Sequence, residues 1–395
     1  MTNSGVKLTV VPVNQLQVGM LVVGIAEQSG KASLSQSGRI SSTQQIALLQ
    51  KKGIRKVKVQ LDSPHRFSSE PEELEEKKLP ESPPQPEPPT EGTKVKAIFN
   101  EAKSLQGKYF EQLRQGEPID IRPMEKAAGA LIDSLDNNSD ALLCLAKIRA
   151  KDRYLMEHSL NVGMLLAYFG RSLGMDKQVQ RQLLIGGMLH DIGKIMTPDE
   201  VLHKAGRLDD AELTIMREHV VHSKEILSKQ RGFSEIMIEV ASNHHERLDG
   251  SGYPLGLKGN QLSVYSRMAL IVDCYDALTA DRVYKSGMTP TEAFRTLLGG
   301  AGTQCDKVLL EKFIRCIGVY PVGTMVKLKS DHLAVVIQRN EMKPLRPKVK
   351  QVFDLATDAQ CPFKLIDLNG SEEEEILQAV SARDYGLVID DFMER

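Results

Sequence analysis

At about 150 residues per domain, a chain of 395 residues is too long for a single core, and two or three folded units are expected. Hydrophobic residues make up 41% of it and charged residues 26%, which excludes a wholly disordered polypeptide. The 51 Lys and Arg nearly balance the 52 Asp and Glu, so no global field steers the chain onto DNA or an anionic membrane, and any anion must be held by a local site.

The opening Met1-Thr2-Asn3-Ser4-Gly5 lacks the charged-then-apolar pattern of a secretory signal, and no run approaches the length of a membrane span. A cytoplasmic protein is expected. Cys144, Cys274, Cys305, Cys316 and Cys361 are odd in number, scattered and free of any C-x-x-C pair, which argues against disulfides or a thiolate zinc site. Residues 1–62 carry β-rich stretches at Val6–Val11, Met20–Ile25 and Val57–Gln60. Helical spacing of apolar residues runs over Ser42–Lys52, so a small α+β regulatory or interaction module is expected. Residues 63–93 form a Pro/Glu-rich linker: Pro64 to Pro89 holds eight of the 18 prolines among seven glutamates. Such a segment buries too little apolar surface to offset its ordering entropy, so a disordered, extended tether is predicted. Eight basic and two acidic residues give the first 62 a net +6, and three against eight give the tether −5.

From 94 to 318 the periodicity turns helical, starting with Ile98, Ala102, Leu105, Tyr109 and Leu113 on one face. Further stripes fall at 124–135, 139–148, 156–172, 177–190, 209–228, 234–245, 263–280, 290–299 and 306–316, separated by glycine breaks. One large all-helical domain is predicted. Residues 319–395 read as a small β-containing appendage, with strands at Met325–Leu328 and Leu333–Ile337 around a Ser330-Asp331 turn. The fold class is therefore mainly α, flanked by two small β-containing modules.

Five of the nine histidines, His158, His190, His219, His244 and His245, lie in the helical domain in company that a packed core does not need. His190-Asp191 ends the apolar stretch Leu183–Leu189, and Asp273 sits in the apolar helix around Met268–Val272. Buried polar groups of this kind are costly unless something binds them. Each alone suits a hydrogen-bonded core or a solvated surface. Together they supply the imidazole and carboxylate mixture suited to Fe, Mn or Zn. His65, His203, His222 and His332 stay without a role.

His190-Asp191, with upstream His158 and downstream Asp273, resembles the HD superfamily of metal-dependent phosphohydrolases. His244-His245-Glu246-Arg247-Leu248-Asp249-Gly250-Ser251-Gly252-Tyr253-Pro254 is similar to the signature of its HD-GYP branch, the bacterial cyclic di-GMP phosphodiesterases. The resemblance covers roughly 150–318 and includes Met216-Arg217-Glu218-His219 and Asp273 through Lys285. Residues 6–62, opening with Val13-Asn14-Gln15-Leu16-Gln17-Val18-Gly19-Met20, resemble a domain often fused ahead of HD-GYP.

The resemblance implies two divalent transition-metal ions, Fe or Mn, with His158, His190, Asp191 and Asp273 on one, His219, His244 and His245 on the other, and Asp191 bridging. Two such ions activate water and stabilise both the attacking and the leaving oxygen at phosphorus. Some relatives hold a third metal through a Glu; Tyr154 stands there, so two ions are predicted. The resemblance further implies that Lys194 contacts the scissile phosphate and that Arg282 and Lys285 grip the non-scissile one. Val283 stands where the family often has Pro. Gly252 and Tyr253 would approach the substrate, and the Gly252-Tyr253-Pro254 loop would contact diguanylate cyclases. Glu246 and Asp249 would orient the ligating histidines from behind.

The expected activity is hydrolysis of cyclic di-GMP to linear pGpG, with onward cleavage to GMP left open. Rivals are 3′3′-cyclic GMP–AMP as substrate and a non-catalytic cyclic-dinucleotide sensor or cyclase-binding scaffold. A monophosphate hydrolase fits the Gly252-Tyr253-Pro254 loop less well.

Overall fold

The computed structural model describes residues 8–17, 20–28, 38–40, 43–51, 54–60, 91–147, 154–204, 206–280 and 287–393. The expected tether lies, up to residue 90, outside them. Two compact units emerge, Met1–Gln85 and Pro86–Arg395. No helix among the described residues is long and apolar enough to cross a membrane.

The first unit contains β1 (Leu8–Pro12), β2 (Leu21–Gln28), β3 (Gly38–Arg39), α1 (Thr43–Lys51) and β4 (Ile54–Gln60). All strand pairings are antiparallel, in the order β1-β4-β2-β3. Alternation along β4 shows why: Val57 and Val59 are fully buried while Lys56 and Lys58 face solvent. Val13, Leu16, Val22, Ile40 and Ile54 complete this small core.

In the second unit the helices are α2 (Glu91–Arg114), α3 (Arg122–Lys147), α4 (Tyr154–Ser172), α5 (Lys177–Met188), α6 (Asp199–Leu202), α7 (Asp210–Arg217), α8 (His219–Ser228), α9 (Glu235–Asn243), α10 (Val264–Thr279), α11 (Pro290–Gly299) and α12 (Lys307–Ile317). Side-chain caps set several starts: Asp176 for α5, Ser234 for α9, Ser263 for α10 and Asp306 for α12 each accept a first-turn backbone N–H, and Thr289 with Glu292 makes a capping box on α11. Two expected boundaries differ. The stripes at 124–135 and 139–148 join in the continuous α3, where packing of Leu131, Ile132 and Leu135 overrides the weak propensity of Asp136-Asn137-Asn138-Ser139. The stripe at 209–228 breaks at Glu218 into α7 and α8, which puts His219 at the head of a new helix.

Helices α4 and α5 cross at Gly163 and Gly187, and a Cβ on Gly187 would stand 2.5 Å from the Gly163 Cα. This close approach brings His158 from α4 and His190, just beyond α5, to a ring-centroid separation of 5.1 Å. Gly187→Val is therefore expected to destabilise the fold by about 3 kcal/mol and to lower metal content, seen as a fall in melting temperature together with elemental analysis. Unchanged values in both would show that the crossing tolerates bulk.

The appendage is larger than the sequence suggests. β5 (Met325–Leu328) and β6 (His332–Gln338) match the two expected strands, and β7 (Lys348–Asp354), β8 (Ala359–Asp367) and β9 (Ile376–Ala379) extend them into an antiparallel sheet ordered β8-β7-β6-β5-β9, followed by α13 (Asp390–Met393). Its two faces bury separate clusters, Met325, Leu333, Val335 and Val352 under Phe392 on one side and Val326, Leu328, Ala334 and Val336 with Leu368 on the other. Arg339, just past β6, ties the sheet to the helices: it donates to Asp140 Oδ1 at 2.7 Å, the Cys316 carbonyl at 2.6 Å and the Tyr168 hydroxyl at 2.6 Å.

Candidate metal centre

The helical core delivers five elements to one point. His158 comes from α4, His190-Asp191 from the turn after α5, His219 from the start of α8, His244 and His245 from the end of α9, and Asp273 from the middle of α10. Ligand atoms cluster as His158/His190/Asp273, as His219/His244/His245 and as His190/Asp191/His244, each group within 4.8 Å. All seven residues named from the sequence are thus brought together.

Asp191 lies between the two histidine groups. Its Oδ2 is 3.3 Å from His190 Nε2 and 3.9 Å from His158 Nε2; its Oδ1 is 3.4 Å from His219 Nε2 and 4.0 Å from His244 Nε2. Asp273 places Oδ1 at 3.0 Å from His158 Nε2 and 3.7 Å from His190 Nε2, with Oδ2 at 3.8 Å from His245 Nδ1.

Three of the imidazoles are oriented by the chain that carries them. His190, His219 and His244 donate Nδ1–H to the carbonyl three residues earlier, Gly187 at 2.7 Å, Met216 at 2.6 Å and Ala241 at 3.0 Å. A carbonyl only accepts, so the neutral rings carry the proton on Nδ1 and turn an Nε2 lone pair into the cluster. Burial pushes the pKa of His219 and His244 down, and it pushes His245 down to about 4, keeping these rings neutral. Burial alone would raise Asp191 and Asp273. For Asp191, His190 and Lys194 outweigh it, and for Asp273 the His158 hydrogen bond does, so both carboxyls lie below the usual carboxylate range. Burial opposes a charged His158, yet its bonds to Asp273 and Asp276 raise it to about 9.

Two fully buried ligand atoms, His190 Nε2 and Asp191 Oδ1, make no hydrogen bond. An unpaired buried acceptor is expensive, and here two sit among imidazoles and anionic carboxylates. That donor set fits a cation of the Fe, Mn or Zn type. His158, His190, Asp191, His219, His244, His245 and Asp273 are the residues that would hold it.

Around this cluster the expected supporting residues behave differently from one another. Lys194 Nζ lies 2.6 Å from Asp191 Oδ2 with its side chain 20% exposed, so it faces both the carboxylate and the opening. Tyr253 stacks on His245 at 4.7 Å between centroids and 30° between planes. Glu246 does not orient a histidine: its buried carboxylate accepts the backbone N–H groups of Leu255, Gly256 and Leu257 at 2.7, 3.1 and 3.0 Å, clamping the loop. Asp249 is exposed and accepts from Ser251 N at 2.8 Å, capping its own turn. Gly252 makes its close approach inward, since a Cβ there would stand 2.4 Å from Arg247 N and 2.6 Å from His245 O. The side chain of Tyr154 and all of Arg282, Val283 and Lys285 lie outside the described residues.

One participant escaped the sequence reading. Asp276 Oδ2 is 2.6 Å from His158 Nδ1, fixing that ring from behind. It lies three residues after Asp273 on the same face of an apolar helix, so the burial argument applied to Asp273 would have found it. Of the unassigned histidines, His203 is exposed, His222 lies 3.9 Å from Glu218 and His332 bonds the Ser330 carbonyl; His65 is outside the described residues.

Glu246→Ala should loosen the loop locally, by about 1–3 kcal/mol for the released N–H groups, seen as faster hydrogen exchange at Leu255–Leu257 with metal content retained. Unaltered exchange would deny the clamp.

Comparison with known proteins agrees with the geometry. Residues 140–309 match the family model described as HD domain, and residues 8–124 match a domain of unknown function, DUF3391. A cyclic di-GMP phosphodiesterase of Pseudomonas aeruginosa is 34% identical over 69% of this chain and 65% of its own length. A 3′3′-cGAMP-specific phosphodiesterase of Vibrio cholerae is 38% identical over 40% of this chain and 37% of its own length. A cyclic di-GMP phosphodiesterase response regulator of Xanthomonas campestris is 30% identical over 55% and 54% respectively. The chain thus spans less than two thirds of each of these relatives. Residues 140–309, with the cluster at their centre, belong to the HD domain family, in a chain that also carries a DUF3391 domain.

Proposed function

We propose that this protein is a binuclear phosphodiesterase that opens cyclic di-GMP to linear pGpG. The observation that carries the proposal is the Asp191 carboxylate lying between two histidine groups, with its Oδ1, and the His190 Nε2 that faces its Oδ2, buried and unpaired. His158, His190, Asp191 and Asp273 would hold one ion, and His219, His244, His245 and the second oxygen of Asp191 the other, with Fe or Mn as the metals. Bound there, a metal pair lowers the pKa of water and offsets charge on the oxygens that attack and leave phosphorus.

The chain's own residues do the rest. The Nδ1–H bonds of His190, His219 and His244 fix their Nε2 lone pairs, so the site needs little reorganisation. Lys194 can transfer its hydrogen bond from Asp191 to a phosphoryl oxygen and offset the charge that develops there. Water forms a new bond to phosphorus, the bond from phosphorus to the 3′-oxygen breaks, and a proton goes to that oxygen, leaving a 5′-phosphate and a 3′-hydroxyl. Arg282 and Lys285 are assigned to the other phosphate, and Tyr253 to the wall of the substrate site. The exposed part of the Gly252-Tyr253-Pro254 loop is the surface assigned to diguanylate cyclases.

The Vibrio relative supports a second reading, 3′3′-cyclic GMP–AMP, because the reacting diester is common to both and only a base edge differs. Side-by-side hydrolysis by metal-loaded protein, resolved by chromatography, tests both: cyclic di-GMP is expected to be consumed faster and to yield pGpG. Tight binding without turnover of either would replace the enzyme with a sensor.

A further inference from the structure

We infer that Arg217 reads the guanine edge of the substrate, an assignment that rests on the cyclic-dinucleotide reading above. Arg217 is the last residue of α7, two positions before the ligating His219. Its guanidinium carbon stands 5.3 Å from the centroid of the Tyr253 ring, which itself stacks on His245 and lies 6.5 Å from the ring of His219. The side chain is exposed, and among the described residues it has no carboxylate partner and no hydrogen bond.

An arginine held over an aromatic face keeps its N–H edge free, because the ring satisfies the charge without consuming a donor. Here that edge lies at the rim of the metal centre. The substrate presents three kinds of feature: a reacting phosphate, a second phosphate and two purine edges. The cluster with Lys194 is assigned to the first and positions 282 and 285 to the second, which leaves the base edges without a reader. Guanine offers O6 and N7 as two parallel acceptors, and the guanidinium fork matches that pair with two parallel donors. Adenine presents a donor at the position of O6 and cannot accept both bonds. The same contact would therefore hold cyclic di-GMP and discriminate against adenine in its place.

Metal-loaded wild type, Arg217→Ala and Arg217→Lys can be compared for affinity toward cyclic di-GMP and cyclic di-AMP and for hydrolysis of bis(p-nitrophenyl) phosphate, a diester without a base. Arg217→Ala should weaken cyclic di-GMP binding roughly tenfold to a hundredfold, as expected for loss of one bidentate base contact. Cyclic di-AMP affinity, bis(p-nitrophenyl) phosphate turnover and metal content should stay within about twofold. Arg217→Lys restores charge without the fork and should not recover cyclic di-GMP affinity. Unchanged cyclic di-GMP affinity, an equal loss for cyclic di-AMP, or recovery by lysine would overturn the assignment and leave the phosphodiesterase reading standing. A wild type that neither binds cyclic di-GMP nor cleaves it would bring down that reading, and the inference with it.

Discussion

Asp191→Ala is expected to abolish hydrolysis, with turnover falling on the order of a thousandfold or more, and to strip metal from both halves of the site at once. The reason is positional. Asp191 faces two histidines with each of its oxygens, Oδ2 toward His158 and His190 and Oδ1 toward His219 and His244, whereas Asp273 reaches the second group through His245 alone. Removing any one histidine leaves the other half intact, whereas removing this carboxylate takes an anionic donor from each. The fold itself should persist, because Asp191 is a buried charge held by its neighbours rather than a packing element. A melting temperature of the metal-free variant close to that of the metal-free wild type would separate lost chemistry from lost structure. Retained metal with full activity would contradict the bridging role.

Lys194→Ala should lower the catalytic rate by roughly a hundredfold while both ions stay bound, the loss typical of one charged or hydrogen-bonding group that stabilises a developing oxyanion. Lys194 sits 2.6 Å from Asp191 Oδ2 and keeps one side toward solvent, so it joins the cluster to the opening without facing either ion as a ligand. Removing its positive charge removes a repulsion on any cation held at Asp191, which favours metal retention. The two variants therefore separate by elemental analysis: both lose activity, and Asp191→Ala alone loses metal. An unchanged rate for Lys194→Ala would make the lysine a bystander.

The metal cluster was legible in the sequence because imidazoles and carboxylates in apolar helices violate the rule that buried polar groups need partners. The supporting parts were less legible. Glu246 adjoins the ligating pair and looks like their support, but its carboxylate reaches forward to a loop nine to eleven residues on, a contact that no spacing encodes. Asp276 was overlooked although it repeats the signal of Asp273. The locks on His190, His219 and His244 go to backbone carbonyls, which every residue type offers, so side-chain identity carries no trace of them. The break at Glu218 is invisible to periodicity because the apolar stripe runs through it. Strands β7 to β9 are hard to read from sequence because β7 buries residues in adjacent pairs and β8 and β9 are mostly exposed, so none shows a clean alternation of buried and solvent-facing positions.

The most direct measurement is a titration of metal-stripped protein with Mn²⁺ while the release of pGpG from cyclic di-GMP is followed. Turnover should be absent in the stripped protein, should rise as metal is added and should reach its plateau at two equivalents per chain. Hydrolysis that ignores the metal, or a chain carrying two ions that leaves the ring closed, would contradict a paired-cation phosphodiesterase.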